Sequence, residues 1–251
     1  MKNNFFHDLY TTIREVRVRD CSATSLSHLL HGYLSVYAMV RISPGLESEY
    51  GTLHEIHGRL REIAGELSKA AKDTSIEQDE RIGYIADLMD AYQTYSDMDL
   101  LDEALDMAYQ VLSVDENEVI VLPGKTPNVC RLLCNWYYFT GEERGLMLVE
   151  EVINDNVRGK NLLNWLRAIE NFGKLAESGV VVKMWEEACK QEKEQLEYEV
   201  IHSITSGECE GVDCEIYYFE VLAMREYGLV ASQEQKDLLE VLTLMNKGLD
   251  S

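Results

Sequence analysis

Residues 131–153 read RLLCNWYYFTGEERGLMLVEEVI. Up to Phe139 the segment is apolar on nearly every side. From Leu146 onward it alternates an apolar stripe with a charged face, and Thr140-Gly141-Glu142-Glu143 separates the two halves. Such a pattern predicts a buried helix, a tight turn and an amphipathic helix that returns along it. A shift of 45 residues lays a second copy, ADLMDAYQTYSDMDLLDEALDMA at 86–108, over the first. Leu88 meets Leu133, Tyr92 meets Tyr137, Ser96 meets Gly141, Asp97 meets Glu142 and Leu101 meets Leu146. Few identities coincide, but the apolar phase and the turn chemistry do, so a helix–turn–helix is the expected repeating unit.

Working outward, the same pattern predicts further pairs. A helix near 25–42 pairs with one near 50–71 across SPGLES. One near 161–177 pairs with 181–205 across Ser178-Gly179, and one near 213–227 pairs with 233–247. Ser232 followed by Gln235 reads as a capping-box start for the last. A single helix near 4–19 precedes them. The stretch EIYYFEVLAM at 215–224 is apolar all round, like 129–139, and such helices belong in a core. The expected fold is all-α. It holds about eleven helices, or five antiparallel hairpins with inner and outer members, in one domain over 1–251. A short β-like run is expected at Val119–Leu122.

The phrases AYQTYSDMDLLDEALDMA and YYFTGEERGLMLVEEVI resemble the inner-to-outer connections of α/α-toroid proteins. That superfamily includes six-hairpin glycosidases, sugar epimerases and lanthionine synthetase C-like proteins. The likeness spans about 85–155. The segment SHLLHGYLSVYAMV at 27–40, with His31-Gly32, resembles the His-Gly inner helix of the lanthionine synthetase group. The resemblance implies hairpins arranged as a toroid, closed or incomplete; the repeat is equally compatible with an open solenoid. It also implies a carbohydrate-active or lanthionine-synthetase-like enzyme with its site at the ring mouth. No adjacent Cys-His pair stands in this sequence to hold that group's zinc.

Acidic residues number 45 against 23 basic ones, a formal net charge of −22. Such a surface repels nucleic-acid phosphates and anionic lipid heads, so neither is an expected partner. A protein partner or a small-molecule ligand is, and an acidic decoy for a basic protein is a further reading. The N-terminus lacks the apolar stretch of a signal peptide, and no segment approaches the ~20 apolar residues of a membrane span. The expected location is the cytoplasm, with the six cysteines as reduced thiols.

Few residues suggest chemistry. Asp87 and Asp90 stand on an inner helix near Tyr92 and Trp136. A glycosidase would use such a pair as acid and base, whereas a solvated helix face needs no function for them. Cys130 and Cys134, at i and i+4, offer two thiolates that could share zinc with His28 or His31; core packing is the plainer reading of all four. The loop VLPGKTPN at 121–128 puts Lys125 and Thr126 beside a helix start, where free N–H groups attract an anion. Thr126 caps that helix and Pro127 opens it. In the aromatic run, Trp136 and Tyr137 fall on core positions and Tyr138 is left for a surface role. No cofactor is expected. The leading reading is a non-catalytic, cytoplasmic interaction or ligand-binding protein, with Lys125, Thr126 and Tyr138 at its binding surface.

Overall fold

Helix ends in this chain are set by local capping groups. Ser22 accepts a hydrogen bond from Ser25 N–H and opens a helix at Ala23. Glu77 accepts from Asp79 and Glu80 N–H, and Asp97 from Leu100 N–H. Thr126 accepts from Val129 N–H, with Pro127 as the first helical residue. A computed structural model describes residues 5–114, 120–121, 123–143, 145–146, 149, 162–173, 175, 179–208 and 210–249.

Among the described residues the fold is all-α. The helices are α1 (Phe5–Arg14), α2 (Ala23–Ile42), α3 (Glu47–Tyr50), α4 (Leu53–Lys72), α5 (Gln78–Tyr95), α6 (Met98–Val111) and α7 (Pro127–Thr140). After them come α8 (Leu162–Gly173), α9 (Gly179–Ala188), α10 (Lys190–Ser206) and α11 (Val212–Leu249). The one extended element among the described residues is a two-residue antiparallel ladder, in which β1 (Ser113–Val114) pairs with β2 (Ile120–Val121). Its second strand falls inside the expected β-like run, whose ends, Val119 and Leu122, lie outside the described residues, and its first strand was not expected. No described helix is long and apolar enough to cross a membrane.

Contacts divide the chain into two compact units, Met1–Glu62 with Val200–Ser251, and Ile63–Glu199. In the first, α2 packs along α11 and α1 packs on α11. Ser25 bonds Asp213 at 2.5 Å, near the start of both helices, and Gly32 meets Phe219 further on. The two helices therefore run in the same direction. An aromatic cluster fills the space beside them: Phe6 stacks on Phe219 with ring centres 6.1 Å apart, and Tyr33 meets Phe219 edge-on at 5.4 Å. Tyr10 meets Tyr50 at 5.4 Å and donates its hydroxyl to Tyr50 O at 2.6 Å. Burying such rings contributes roughly 2–3 kcal/mol each. Gly32 is part of that packing, because a Cβ there would fall inside the Phe219 ring.

In the second unit α5 packs on α6 and on α7, α7 packs on α8, and α8 packs on α9. Ser96 ends α5 in the left-handed region (φ +55°) and donates its N–H to Tyr92 O at 2.7 Å. Forty-five residues on, Gly141 ends α7 in the same way (φ +72°), donating to Tyr137 O at 2.8 Å. The returning helix expected at 146–153 lies mostly outside the described residues.

Two expected pairings are corrected. Residues 213–247 are one helix of 38 residues, Val212–Leu249, and not a hairpin. Between Gly228 and Gln235 there is neither a proline nor a left-handed residue, so nothing interrupts the i→i−4 ladder. Ser232 and Gln235 sit inside the helix. The helix expected near 50–71 is present as α4 (Leu53–Lys72), but its expected pairing with 25–42 is not the main one that α2 makes. Gly51 (φ +93°) separates α3 from α4, and the main partner of α2 is α11. The expected 181–205 helix changes at Cys189, where α9 ends before α10, and the Ser178 joint lies outside the described residues.

Two glycines on long helices of the first unit should respond oppositely to alanine. Gly32→Ala must displace Phe219 and should cost about 1–3 kcal/mol. Gly58, exposed on α4 with open space around it, should gain about 0.5–1 kcal/mol as alanine. Thermal melts of the two variants check both signs.

Candidate functional site

The polar groups of the second unit converge between α5 and α7. Thr126, the cap of α7, donates its hydroxyl to the Asp79 carboxylate in the first turn of α5. Two residues on, Asn128 Nδ2 donates to Asp79 O and to Asp79 Oδ2, both at 3.1 Å. Gly83 leaves room for that amide, since a Cβ there would lie 3.0 Å from it. Next comes Arg131, whose Nη2 donates to Asp87 Oδ1 at 2.5 Å and to Asp90 Oδ2 at 2.8 Å. Asn135 then donates to Ala86 O at 3.2 Å and Asp90 Oδ1 at 3.0 Å, and accepts from Gln93 Nε2 at 2.8 Å. The contacts advance together along both helices, so α5 and α7 are parallel. From α8, Asn171 adds a bond to Asp90 Oδ1 at 2.8 Å.

This ladder is buried. Arg131 and Asp87 are 0% exposed and Asp90 is 4% exposed. Burial alone pulls the Arg131 guanidinium toward neutrality. The adjacent Asp87 and Asp90 charges, with their hydrogen bonds, outweigh it and hold the group above its ordinary value. The solvated-face reading of Asp87 and Asp90 is thereby corrected: both carboxylates face inward, and each gives one oxygen to Arg131 Nη2. Asp90 has one oxygen on Arg131 and the other on Asn135 and Asn171. Trp136 is also buried, under the Tyr109 ring with centres 4.2 Å apart.

Cys130 and Cys134 are buried on α7, and burial pushes the Cys130 thiol up to about 12. That disfavours the thiolate a zinc ion needs. His28 and His31 belong to the first unit. His28 Nδ1 lies 2.6 Å from Glu220 Oε2, and its ring meets Tyr217 edge-on at 5.2 Å. Lys125 is exposed, but Thr126 serves as cap and as donor to Asp79. The carboxylate found at this helix start is the chain's own. Tyr138 is 54% exposed, as its place in the aromatic run suggested.

Arg131, Asn128, Asn135 and Asn171 escaped notice in the sequence. A signal for Arg131 was present. An arginine inside VCRLLCNWYYF needs a counter-charge if the helix is buried, and Asp87 and Asp90 stand one repeat earlier. No family model, curated protein or solved structure matches the chain.

Removing the guanidinium strands two buried carboxylates. Arg131→Met should cost about 3–5 kcal/mol, read as a lowered denaturant midpoint. Alkaline titration tests burial. The thiol of Cys130 rises from 9.0 to about 12, and burial also raises the phenol of Tyr10 above its ordinary 10.0. Above pH 9 the unfolded chain ionises groups that the folded chain keeps neutral. Stability should therefore be level below pH 9 and fall as pH climbs toward 12; melting temperatures across pH 7–11 would show this.

Proposed function

We propose that this chain is a non-catalytic interaction or ligand-binding protein, built of α/α-toroid-like helical hairpins and working in the cytoplasm. The observation that carries the reading is the Asp87–Arg131–Asp90 cluster. The one carboxylate pair that suited acid–base chemistry is buried and consumed by a guanidinium. A general acid or base must reach the proton it transfers, and these two carboxylates reach only protein groups in the contacts described above. The polar ladder then serves as a register device for parallel helices, a use attested for buried polar groups elsewhere.

The hairpin reading draws its support from within each unit. In the second, α5 and α7 lie side by side and parallel, and α6, which connects them onward, packs against both. In the first, two helices of the all-round apolar kind, α2 and α11, are likewise parallel neighbours. Parallel inner helices with a returning outer helix between them are what a hairpin array requires. The cytoplasmic reading is supported by the thiols of Cys21 and Cys130, which stand outside any disulfide. Binding is assigned to side chains left outside the core, Tyr138 and Lys125 among them.

Incubated with a panel of aryl glycosides, the purified chain should release no more aglycone than buffer does. Asp87→Asn should leave that background unchanged while lowering the melting temperature. Turnover that Asp87→Asn or Asp90→Asn abolishes, with circular dichroism intact, would defeat the non-catalytic reading.

A further inference from the structure

The solvent face of α6 carries Met98, Asp99, Asp102, Asp106 and Tyr109, all exposed. At 1.5 Å per residue they form a line about 16 Å long, with three carboxylates between two large apolar ends. Met98 is 56% exposed and Tyr109 61%. Neither end is a lone side chain. Met98 Sδ accepts a hydrogen bond from Tyr92 at 3.1 Å, Tyr92 meets Phe139 edge-on at 5.4 Å, and Phe139 meets Tyr138 at 5.0 Å. This makes one patch of four side chains, drawn from α5, α6 and α7. At the other end Tyr109 stands on Trp136. Rings held by neighbours in this way lose little freedom when a partner covers them.

Charge determines the partner. Between Arg81 and Lys125 the sequence contains no lysine or arginine. Arg81 donates to Ala71 O, and Lys72 is taken up by Glu103, one turn from Asp99 and Asp106 on the same side of α6. Among the described residues no cation pairs with Asp99, Asp102 or Asp106. A nucleic acid or an anionic lipid surface would be repelled here. A stripe of carboxylates at helical spacing, closed at each end by apolar groups, fits a complementary stripe of lysine or arginine between apolar anchors.

We infer that the outer face of α6, with Tyr138 and Phe139 at the end of α7, is a docking surface for a basic amphipathic helix of a partner protein. The inference rests on the interaction reading above and names the partner class. Apolar anchors about 11 residues apart on the partner helix reach the Met98 patch and Tyr109. Its arginines or lysines between them meet Asp99, Asp102 and Asp106.

The probe is a dye-labelled helical peptide of about 18 residues, with leucine on one face and lysine on the other. It is titrated into the full chain by fluorescence anisotropy at about 0.15 M salt. Two comparison peptides carry glutamate in place of lysine, or the same residues in shuffled order. Met98→Ser with Tyr138→Ser should weaken binding about ten-fold, and so should the triple Asp99→Asn, Asp102→Asn, Asp106→Asn. The triple Glu186→Gln, Glu192→Gln, Glu194→Gln, which removes equal charge from α9 and α10, should change it by less than about two-fold. Equal weakening by both triples would show attraction to the whole acidic chain and overturn the inference. So would unchanged binding in the Met98/Tyr138 variant, or tight binding of the shuffled or glutamate peptide. A dimer seen by light scattering and split by Met98→Ser with Tyr138→Ser would give the face to a second copy and overturn it equally. These failures leave the non-catalytic reading standing, since that reading falls only to turnover in the glycoside assay.

Discussion

Burying the guanidinium of Arg131 constrains the second unit more than any other feature. A charged group taken out of water is tolerated only when opposite charge and hydrogen bonds replace the solvent it loses. Asp87 and Asp90 supply the charge from α5, and they can do so only if α5 and α7 lie side by side, parallel and in one register. Sliding either helix by a turn would bring apolar side chains against the guanidinium and strand both carboxylates. Asn128 and Asn135, one turn below and above, bond backbone oxygens of α5 and fix the same register independently. Such a ladder adds little net stability compared with an apolar interface of equal shape. Its contribution is to exclude the alternatives.

The first unit solves the corresponding problem with aromatic packing. Phe219 enters the space opened by Gly32 and touches Phe6, Tyr10 and Tyr33. Polar pairs sit along the seam of α2 and α11, with Ser25 on Asp213 and His28 on Glu220. The His-Gly pair that resembled a lanthionine synthetase helix thus has a packing explanation for its glycine. The two units hold parallel neighbours together by different means, one with a charged ladder and the other with a ring cluster.

These arrangements bear directly on function. Residues with the chemistry for catalysis or metal binding are drawn into the interior, where Asp87 and Asp90 neutralise an arginine and Cys130 remains a thiol. Among the side chains left outside are acidic and aromatic ones on α6 and at the end of α7.

Much of the local structure was legible in the residues. Ser96 and Gly141 could be placed as helix stops, and Thr126-Pro127 as a start, because a cap is made by groups within four residues of one another. Of the stretches 129–139 and 215–224, read as core helices from their apolar character, 129–136, Ile216 and 219–223 are buried, whereas Tyr217 and Tyr218 are half-buried and Tyr138 is exposed. The turn expected at Ser232 failed for an equally local reason: a serine and a glutamine can begin a helix, but they do not end one. Asp87 and Asp90 were misread because hydropathy assigns an acid to water unless its partner is known. That partner lies 44 and 41 residues away on a helix whose neighbour periodicity cannot name. The sequence by itself determined that this chain is helical, and where most helices begin and end, since those are short-range hydrogen-bond questions. Only the tertiary structure decided which helices lie together, and therefore which acids are buried against Arg131 and which face solvent, because burial is a property of the neighbour as much as of the residue.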